Sequence, residues 1–301
     1  MKSCKHGKLL LALAMVLVPC GADGESYVNT ASLFELGASA RALGMGGTFL
    51  AVADDAGAVY YNPARLPQVE QATLSSLFTR PHGAYSYGTL SAARRGWGAQ
   101  LLALDSGPLE ERDLYGTPGP AFRHTEAGLL LAGGVQAGGG VSVGLQAKLY
   151  SPALPNRGYG ASLSPALSFR EGPRAYALVW RNALSTDLCF ANHHSEPWMR
   201  DLAVGFSWRA GSTVYAVDFT ERLITRGDMT SVRAGVESRQ FDPLILRAGT
   251  HREGSSFGAS VYWAGLRLDL AYVLHYALPD SYYVSLNYRW EGTLFGALVA
   301  W

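Results

Sequence analysis

Hydrophobic and polar residues alternate along most of the chain from about residue 71 onward. Between Leu266 and Tyr276, leucines and tyrosines occupy every second position, with Arg267 and Asp269 between them. Because successive side chains of a β-strand point to opposite faces, this pattern predicts a strand with one apolar and one polar face. The same division recurs in three further segments, at 141–150, 201–209 and 281–290. The pattern predicts an all-β fold.

The same alternation along the rest of the chain predicts fourteen strands, separated by turn residues. The strands are expected at 71–80, 83–93, 96–105, 122–133, 139–150, 158–169, 174–182, 198–209, 212–221, 229–239, 243–252, 255–264, 266–276 and 280–290. Most links from an even-numbered strand to the next are tight, whereas the long links, 106–121 and 183–197, follow odd-numbered strands.

An even strand number with short turns on one rim and long loops on the other is typical of outer-membrane barrels. The alternative, a soluble β-sandwich, has no reason to sort its loops in this way. The chain is therefore predicted to be an antiparallel transmembrane outer-membrane β-barrel of about 14 strands. Its short turns are expected in the periplasm and its long loops outside the cell.

Alternation also predicts which side chains face the barrel lumen. These positions are Lys148, Asp201, Arg209, Asp218, Arg233, Glu237, Arg239, Arg247, Arg267, Asp269 and Arg289. Four of them are candidate contacts for an anionic ligand head: Arg233, Arg247, Arg267 and Arg289. The alternative is that the lumen charges form ion pairs that hold the strands and the plug together.

Aromatic residues cluster near the ends of the predicted strands. Because barrels carry aromatic belts at both membrane interfaces, these residues are expected there. They are Tyr85, Tyr87, Trp97, Trp180, Trp198, Trp208, Trp263, Tyr276, Tyr282, Tyr283, Tyr288 and Trp290.

The two ends of the chain carry separate predictions. Residues 1–22 resemble a secretory signal peptide, because three lysines precede a ten-residue apolar run that ends before Pro19. A membrane-spanning helix would need about 20 apolar residues. Cys20 is an alternative lipid-attachment site, although Pro19 fits that signal poorly. At the other end, 293–301 also alternates and is a candidate extra strand, which would change the strand count.

Composition and motifs narrow the function classes. The chain is 48% hydrophobic with a net charge of +1, so no nucleic-acid partner is expected. The glycines at 44–47 lack the Lys-Ser/Thr of a phosphate loop, and Asp54-Asp55 lacks further metal ligands. Cys189 with His193-His194 is a candidate zinc set, but a solvated loop is favoured. Without a nucleophile motif, neither an enzyme nor a cofactor is predicted.

Residues 23–70 are predicted to form a small N-terminal plug ahead of a barrel at 71–301. Within it, GASARALGMGGTFLAVADDAGAVYYNPARL at 37–66 resembles the plug of the FadL-like outer-membrane transport protein superfamily. The motif residues are Gly44, Gly46, Gly47, Asp54, Asp55, Asn62, Pro63 and Ala64. The Arg-Ala-Leu-Gly-Met-Gly-Gly lead, with matches in the last four strands, is more similar to the branch of PorV and PorQ.

This resemblance implies two functions from different classes. A FadL-like protein would be a channel for passive uptake of hydrophobic substrates, such as long-chain fatty acids, through the outer membrane. A PorV-like protein would instead be a component or shuttle of a protein secretion system, with partner proteins at its long loops. Membrane lipid is an expected partner in both cases.

Overall fold

Fourteen long antiparallel strands form a closed barrel, which confirms the predicted fold class. The computed structural model describes residues 32–154, 157–191, 195–223 and 230–290. The barrel closes where the first strand pairs with the last, from Ala72 opposite Trp290 to Thr79 opposite Tyr283. In chain order the strands are β1 (Ala72–Thr79), β2 (Ser86–Arg94), β3 (Trp97–Arg112), β4 (Pro118–Gly138), β5 (Val141–Leu154), β6 (Gly158–Glu171), β7 (Arg174–Arg181), β8 (Leu184–Ser185), β9 (Leu188–Phe190), β10 (Ser195–Glu196), β11 (Asp201–Ala210), β12 (Thr213–Arg222), β13 (Ser231–Phe241), β14 (Leu244–His251), β15 (Gly254–Trp263), β16 (Leu266–His275) and β17 (Ser281–Trp290).

The connections divide between the two rims as the sequence predicts. Six two-residue turns lie on one rim, here called the turn rim, at 95–96, 139–140, 172–173, 211–212, 242–243 and 264–265. The opposite rim, here called the loop rim, carries the longer connections and one further two-residue turn, at 252–253. The longest joins β7 to β11, which pair directly, and contains the short strands β8, β9 and β10.

The predicted loop at 106–121 is wrong in part, because most of it is a hairpin. Strand β3 continues to Arg112 and β4 begins at Pro118, which leaves only 113–117 as a turn. Asp113 Oδ1 accepts hydrogen bonds from Tyr115 N at 2.9 Å and Thr117 N at 2.8 Å, which stabilises that turn. The hairpin carries Leu114 and Tyr115, both almost fully exposed, at its tip.

The outer face of the barrel is apolar. On β16, Leu268 and Leu270 are 40% and 46% exposed, whereas Arg267 and Asp269 are 2% and 0% exposed. Each of the fourteen barrel strands has at least one exposed large apolar side chain. An apolar band facing outward from a closed barrel is what a lipid bilayer requires.

The aromatic-belt prediction is confirmed for some residues and wrong for others. Exposed aromatic side chains near the rims include Trp97, Trp180, Trp208, Trp263, Tyr276 and Tyr282. In contrast, Tyr87, Trp198 and Tyr283 are buried inside the barrel, and Tyr85 lines the interior. They face inward because they pack against the plug: the Tyr87 hydroxyl, for example, donates to Gly37 O at 2.7 Å.

Residues 32–71 form a plug inside the barrel. The plug contains only short helices, Ala40–Leu43 and Ala58–Tyr61, with 3-10 turns at Ser32–Phe34 and Pro63–Gln68. The core lies between plug and wall, where Leu33, Met45, Phe49 and Leu66 are fully buried. No helix among the described residues is both long and apolar enough to cross a membrane. The predicted signal peptide, Cys20 and the tail strand at 293–301 lie outside the described residues.

Candidate functional site

The glycine motif of the plug lies directly on the barrel wall. Gly46 N donates to Ser256 Oγ of β15 at 2.8 Å, and Gly46 has a φ of +70°. A Cβ on Gly249 of β14 would lie 2.1 Å from Met45 C and 2.2 Å from Gly46 N. Such distances are far below normal contact distances. The plug and the wall can approach this closely only because Gly46 and Gly249 have no side chains.

The side-chain amide of Asn62 holds the second half of the plug motif in place. Asn62 Nδ2 donates to Leu50 O at 2.8 Å, and Asn62 Oδ1 accepts from Ala64 N at 3.0 Å. Asn62 therefore caps the following 3-10 turn, in which Pro63 takes the first position. Ala64 packs against alanines of β6, β7 and β11.

Wall side chains also bind the plug backbone. On β12, Asp218 Oδ2 accepts from Phe49 N at 2.8 Å and Leu50 N at 3.1 Å. On β17, Ser285 Oγ accepts from Ala40 N at 2.9 Å. These bonds pair plug backbone groups that its short helices leave unsatisfied.

A buried charge network joins the plug to strands β13 to β16. Arg41 of the plug donates from Nε to Glu237 Oε2 at 2.7 Å, and from Nη1 to Asp55 Oδ2 at 3.0 Å. Asp55 Oδ2 also accepts from Arg267 Nη2 at 2.9 Å. Four arginines meet four carboxylates in this network, which has no net charge: Arg41, Arg239, Arg247 and Arg267 with Asp54, Asp55, Glu237 and Asp269.

The network keeps the plug carboxylates ionised. Burial alone would raise the pKa of Asp55, but Arg41 and Arg267 outweigh it and hold that pKa well below its usual value. The pKa of Asp54 is lowered too, because Arg41 outweighs the effect of burial. Arg41 in turn has a raised pKa, since its carboxylate partners outweigh its own burial.

A cavity of about 380 Å³ lies between the plug and the loop rim. Its aromatic lining comes from the plug and the upper wall: Phe34, Tyr60, Tyr61, Tyr85, Trp198 and Tyr283. The volume and the aromatic lining are typical of a small-molecule site. Three histidines lie at its edge, with ring centroids 4.9 Å apart for His82 and His275 and 6.3 Å apart for His251 and His275.

Basic side chains outnumber acidic ones in the cavity lining. Five basic residues, Lys148, Arg181, Arg222, Arg233 and Arg252, compare with three acidic residues, Glu35, Asp201 and Glu253. Arg222 Nη2 pairs with Glu35 Oε2 at 2.9 Å, and Arg181 lies 3.8 Å from Asp201. Lys148 has no ion pair among the described residues. It is 6% exposed, and its Nζ lies 5.4 Å from the centre of the Phe34 ring.

Solved structures of transport proteins are similar to this chain in fold. The P. putida toluene transporter TodX matches with a TM-score of 0.62 at 15% identity, over 90% of this chain and 100% of that chain. A Pseudomonas aeruginosa FadL homologue matches with a TM-score of 0.55 at 9% identity, over 83% and 98% of the two chains. The fold is therefore FadL-like. A scan against family models and a search of curated proteins found no match.

The match to TodX and the FadL homologue confirms the predicted resemblance at the level of the fold. The PorV and PorQ branch stays a prediction. The signal for the fold was present in two independent parts of the sequence, the plug motif and the alternating strands.

The structure separates the four predicted ligand-contact arginines. Only Arg233 lines the loop-rim cavity, where it also lies beside Gly47. Arg247 and Arg267 belong to the charge network, and Arg289 lies near the turn rim at the end of β17. Two of the four arginines, Arg247 and Arg267, therefore fit the alternative prediction that lumen charges form ion pairs that hold the plug.

Three interior arginines, Arg41, Arg181 and Arg222, were not predicted from the sequence. Arg41 lies inside the plug motif, and alternation along β7 places Arg181 on the inward face, so both could have been found from the pattern. The zinc set with Cys189 cannot be described, because His193 and His194 lie outside the described residues. Within the described ranges, no group of three or more potential ligands could hold a metal ion.

Proposed function

We propose that this protein admits hydrophobic small molecules through the bacterial outer membrane by passive diffusion, with the loop-rim cavity as its binding site. The cavity is the observation that carries the proposal, because aromatic side chains contribute to its lining and it lies above a plug inside the barrel. TodX is a toluene transporter and the second match is a FadL homologue, which supports a hydrophobic substrate. In this proposal the loop rim faces outside and the turn rim faces the periplasm.

We further propose that the substrate has an anionic head, as a long-chain fatty acid does. Lys148 is the buried cation of the cavity that has no carboxylate partner among the described residues. A buried unpaired charge is costly, so a carboxylate bound there would compensate it. The aromatic rings beside Lys148, including Phe34, would contact the apolar tail.

Filling the cavity is expected to block binding. Ser231 lines the cavity on β13, so Ser231→Trp would place an indole where the ligand lies. Overpacking of this kind costs about 1–3 kcal/mol, so binding is expected to weaken about tenfold or more. Binding of a labelled fatty acid in detergent, together with uptake by cells that express the protein, measures this.

The matched control is Val232→Trp, because Val232 is the next residue of β13 and is 54% exposed on the outer face. This variant is expected to bind normally. Equal loss in both variants would mean that the indole perturbs the barrel in general, and the cavity would then lose its assignment.

Removing the unpaired charge is expected to separate two substrate classes. Lys148→Met keeps the length of the side chain but not its charge. One charge-assisted hydrogen bond contributes roughly 1.5–3 kcal/mol, so fatty-acid binding is expected to weaken at least tenfold. Toluene has no charged group and should bind this variant as it binds the wild type. Isothermal titration with both ligands measures the difference, and an equal loss for both would contradict an anionic head.

A secretion-system role is the second candidate, and the hairpin of β3 and β4 favours it. Its tip exposes Leu114 and Tyr115, and exposed apolar side chains at a protruding tip are common in protein interfaces. Mass spectrometry of the purified protein distinguishes the two functions. Bound lipid supports transport, whereas no bound lipid, no fatty-acid binding and a co-purifying protein would support the second role.

A further inference from the structure

Arginines lie at the turn rim on the inner face of the wall. Arg170 belongs to the inward series of β6, after the buried residues Ser164 and Ser168. Arg209 belongs to the inward series of β11, two residues after Ser207, whose Oγ donates to Ala51 O of the plug at 3.3 Å. Both strands end one residue later, so both side chains lie at the turn-rim side of the plug.

A third arginine reaches the same side from within the plug. Arg65 is 4% exposed, its Nε donates to Ala53 O at 3.1 Å, and its Nη1 has no hydrogen-bond partner among the described residues. Its neighbour Leu66 accepts a hydrogen bond from Gly96 in the turn between β2 and β3, which places this plug segment at the turn rim.

No carboxylate in the described chain neutralises these three arginines. Asp54 is the acidic group with the largest effect on Arg65, but it is bound to Arg41. Glu171 at the end of β6 pairs in register with Arg174 across the tight turn. The pKa of Arg65 is lowered to about 10, because burial, together with Arg170 and Arg209, outweighs the effect of Asp54. Strand β7 alone separates the strands of Arg170 and Arg209, since Ala175 of β7 is opposite both Arg170 and Ser207. Ala64, the residue before Arg65, belongs to the same alanine cluster as Ala175, so the three arginines lie along one part of the wall and carry the same charge.

We propose that Arg65, Arg170 and Arg209 form a binding site for a phosphate-bearing anion on the turn-rim side of the plug. The planar guanidinium group suits phosphate oxygens, and several arginines around one anion suit a group with more than one charge. Arg65 supplies a buried donor that lacks a partner, and Arg170 and Arg209 supply exposed cations from the wall. This site lies on the opposite side of the plug from the loop-rim cavity and does not depend on the proposed uptake.

The anion has two sources with the same chemistry, inorganic phosphate and the headgroup of an acidic phospholipid. Both present phosphate oxygens at the rim of a membrane barrel. The experiment has one arm for each source.

In the first arm, the full chain in detergent is titrated with inorganic phosphate at constant ionic strength, and calorimetry measures the binding. In the second arm, the protein is placed in phosphatidylcholine nanodiscs with and without phosphatidylglycerol, and native mass spectrometry counts the lipid that stays bound. Arg209→Gln is the main variant, because Arg209 lies at the rim and its side chain makes no hydrogen bond or ion pair with the described residues of the plug. Loss of one charge-assisted hydrogen bond is expected to weaken phosphate binding roughly tenfold.

Arg174→Gln is the matched control, since Arg174 is an exposed arginine at the same rim that faces outward from β7. Arg65→Gln is the second site variant, with trypsin resistance of the plug measured in parallel to detect unfolding. Saturable phosphate binding that is lost in Arg209→Gln and kept in Arg174→Gln supports free phosphate. Selective retention of phosphatidylglycerol with the same variant pattern supports a headgroup.

Two results would overturn the proposal. One is the absence of both saturable phosphate binding and selective phosphatidylglycerol retention in the wild type. The other is an equal loss in Arg209→Gln and Arg174→Gln, which would show that only the total charge of the rim matters. Fatty-acid binding in Arg209→Gln should stay unchanged in every case, so failure of this site is distinguishable from failure of the uptake proposal.

Discussion

Asp55→Asn is expected to release the plug from the barrel wall. The carboxylate of Asp55 is shared by Arg41 of the plug and Arg267 of β16, at 3.0 and 2.9 Å. All three side chains are almost fully buried. Removing one partner of a buried ion pair typically costs about 3–5 kcal/mol, and here it would leave four arginines with three carboxylates, so one buried positive charge would have no compensation. The fraction of molecules with a displaced plug is therefore expected to rise roughly a hundredfold or more.

Two measurements report this displacement in the full chain. Trypsin should cut at Arg41 and Arg65 once the plug leaves the wall, and planar bilayers should show larger ion conductance. Heat-modifiable gel mobility checks that the barrel itself is folded. Asp54→Asn is the graded control, because the Asp54 side chain is 27% exposed and, within the described part of the chain, bonds only to Arg41, so its effect should be smaller. Equal effects would mean that the pair with Arg267 contributes nothing to holding the plug.

Acid should reproduce this release only at low pH. The pKa of Asp55 is lowered in the folded protein, because Arg41 and Arg267 outweigh the effect of burial. A lowered folded pKa contributes stability that is complete above the unfolded value of about 3.9 and is lost as the pH falls through the folded value. Conductance of the wild type is therefore expected to stay constant from pH 7 to about pH 5 and to rise only below about pH 4.

The alternation of side chains predicted the barrel well, because lipid outside and a plug inside impose opposite polarity on the two faces. Leu268 and Leu270 face outward, and Arg267 and Asp269 face inward, as the pattern of β16 predicts. The hairpin at the loop rim was missed because Gly107, Pro108, Gly116 and Pro118 resemble loop residues in sequence. Backbone pairing between β3 and β4 overrides that local signal.

The candidate site was harder to predict because alternation shows the face of a residue but not its depth in the barrel. Arg233, Arg247 and Arg289 share the inward face, but they lie near the loop rim, within the charge network and near the turn rim respectively. The depth of each arginine in the barrel depends on where its strand begins. The residues with which each arginine pairs depend on how the plug folds. The plug fold is hard to predict because its short helices and glycines give little periodic pattern in the sequence. The unpaired state of Lys148 likewise depends on contacts between strands that no local pattern reports.

Gly249→Ala is expected to prevent the plug from occupying its present position against the wall. The new Cβ would lie 2.1 Å from Met45 C and 2.2 Å from Gly46 N, where contact normally requires about 3.5 Å or more. Both atoms are plug backbone, so no side chain can rotate away, and the plug itself must move. Since Gly46 lies against Thr250 and Ser256 at the same point, the shift would also break the bond from Gly46 N to Ser256 Oγ.

The effect should exceed the 1–3 kcal/mol that is usual for overpacking, and trypsin cleavage of the plug should rise at least about tenfold. The matched control is Gly133→Ala, because Gly133 is a wall glycine of β4 whose added Cβ would find its nearest neighbour 3.9 Å away. That variant should keep wild-type trypsin resistance and conductance. If Gly249→Ala also keeps both, the plug does not lie on β14 as described. If Gly249→Ala loses wild-type trypsin resistance and conductance while the barrel stays folded, the close approach of Gly249 to the plug backbone is needed to hold the plug in place, in addition to the charge network around Asp55.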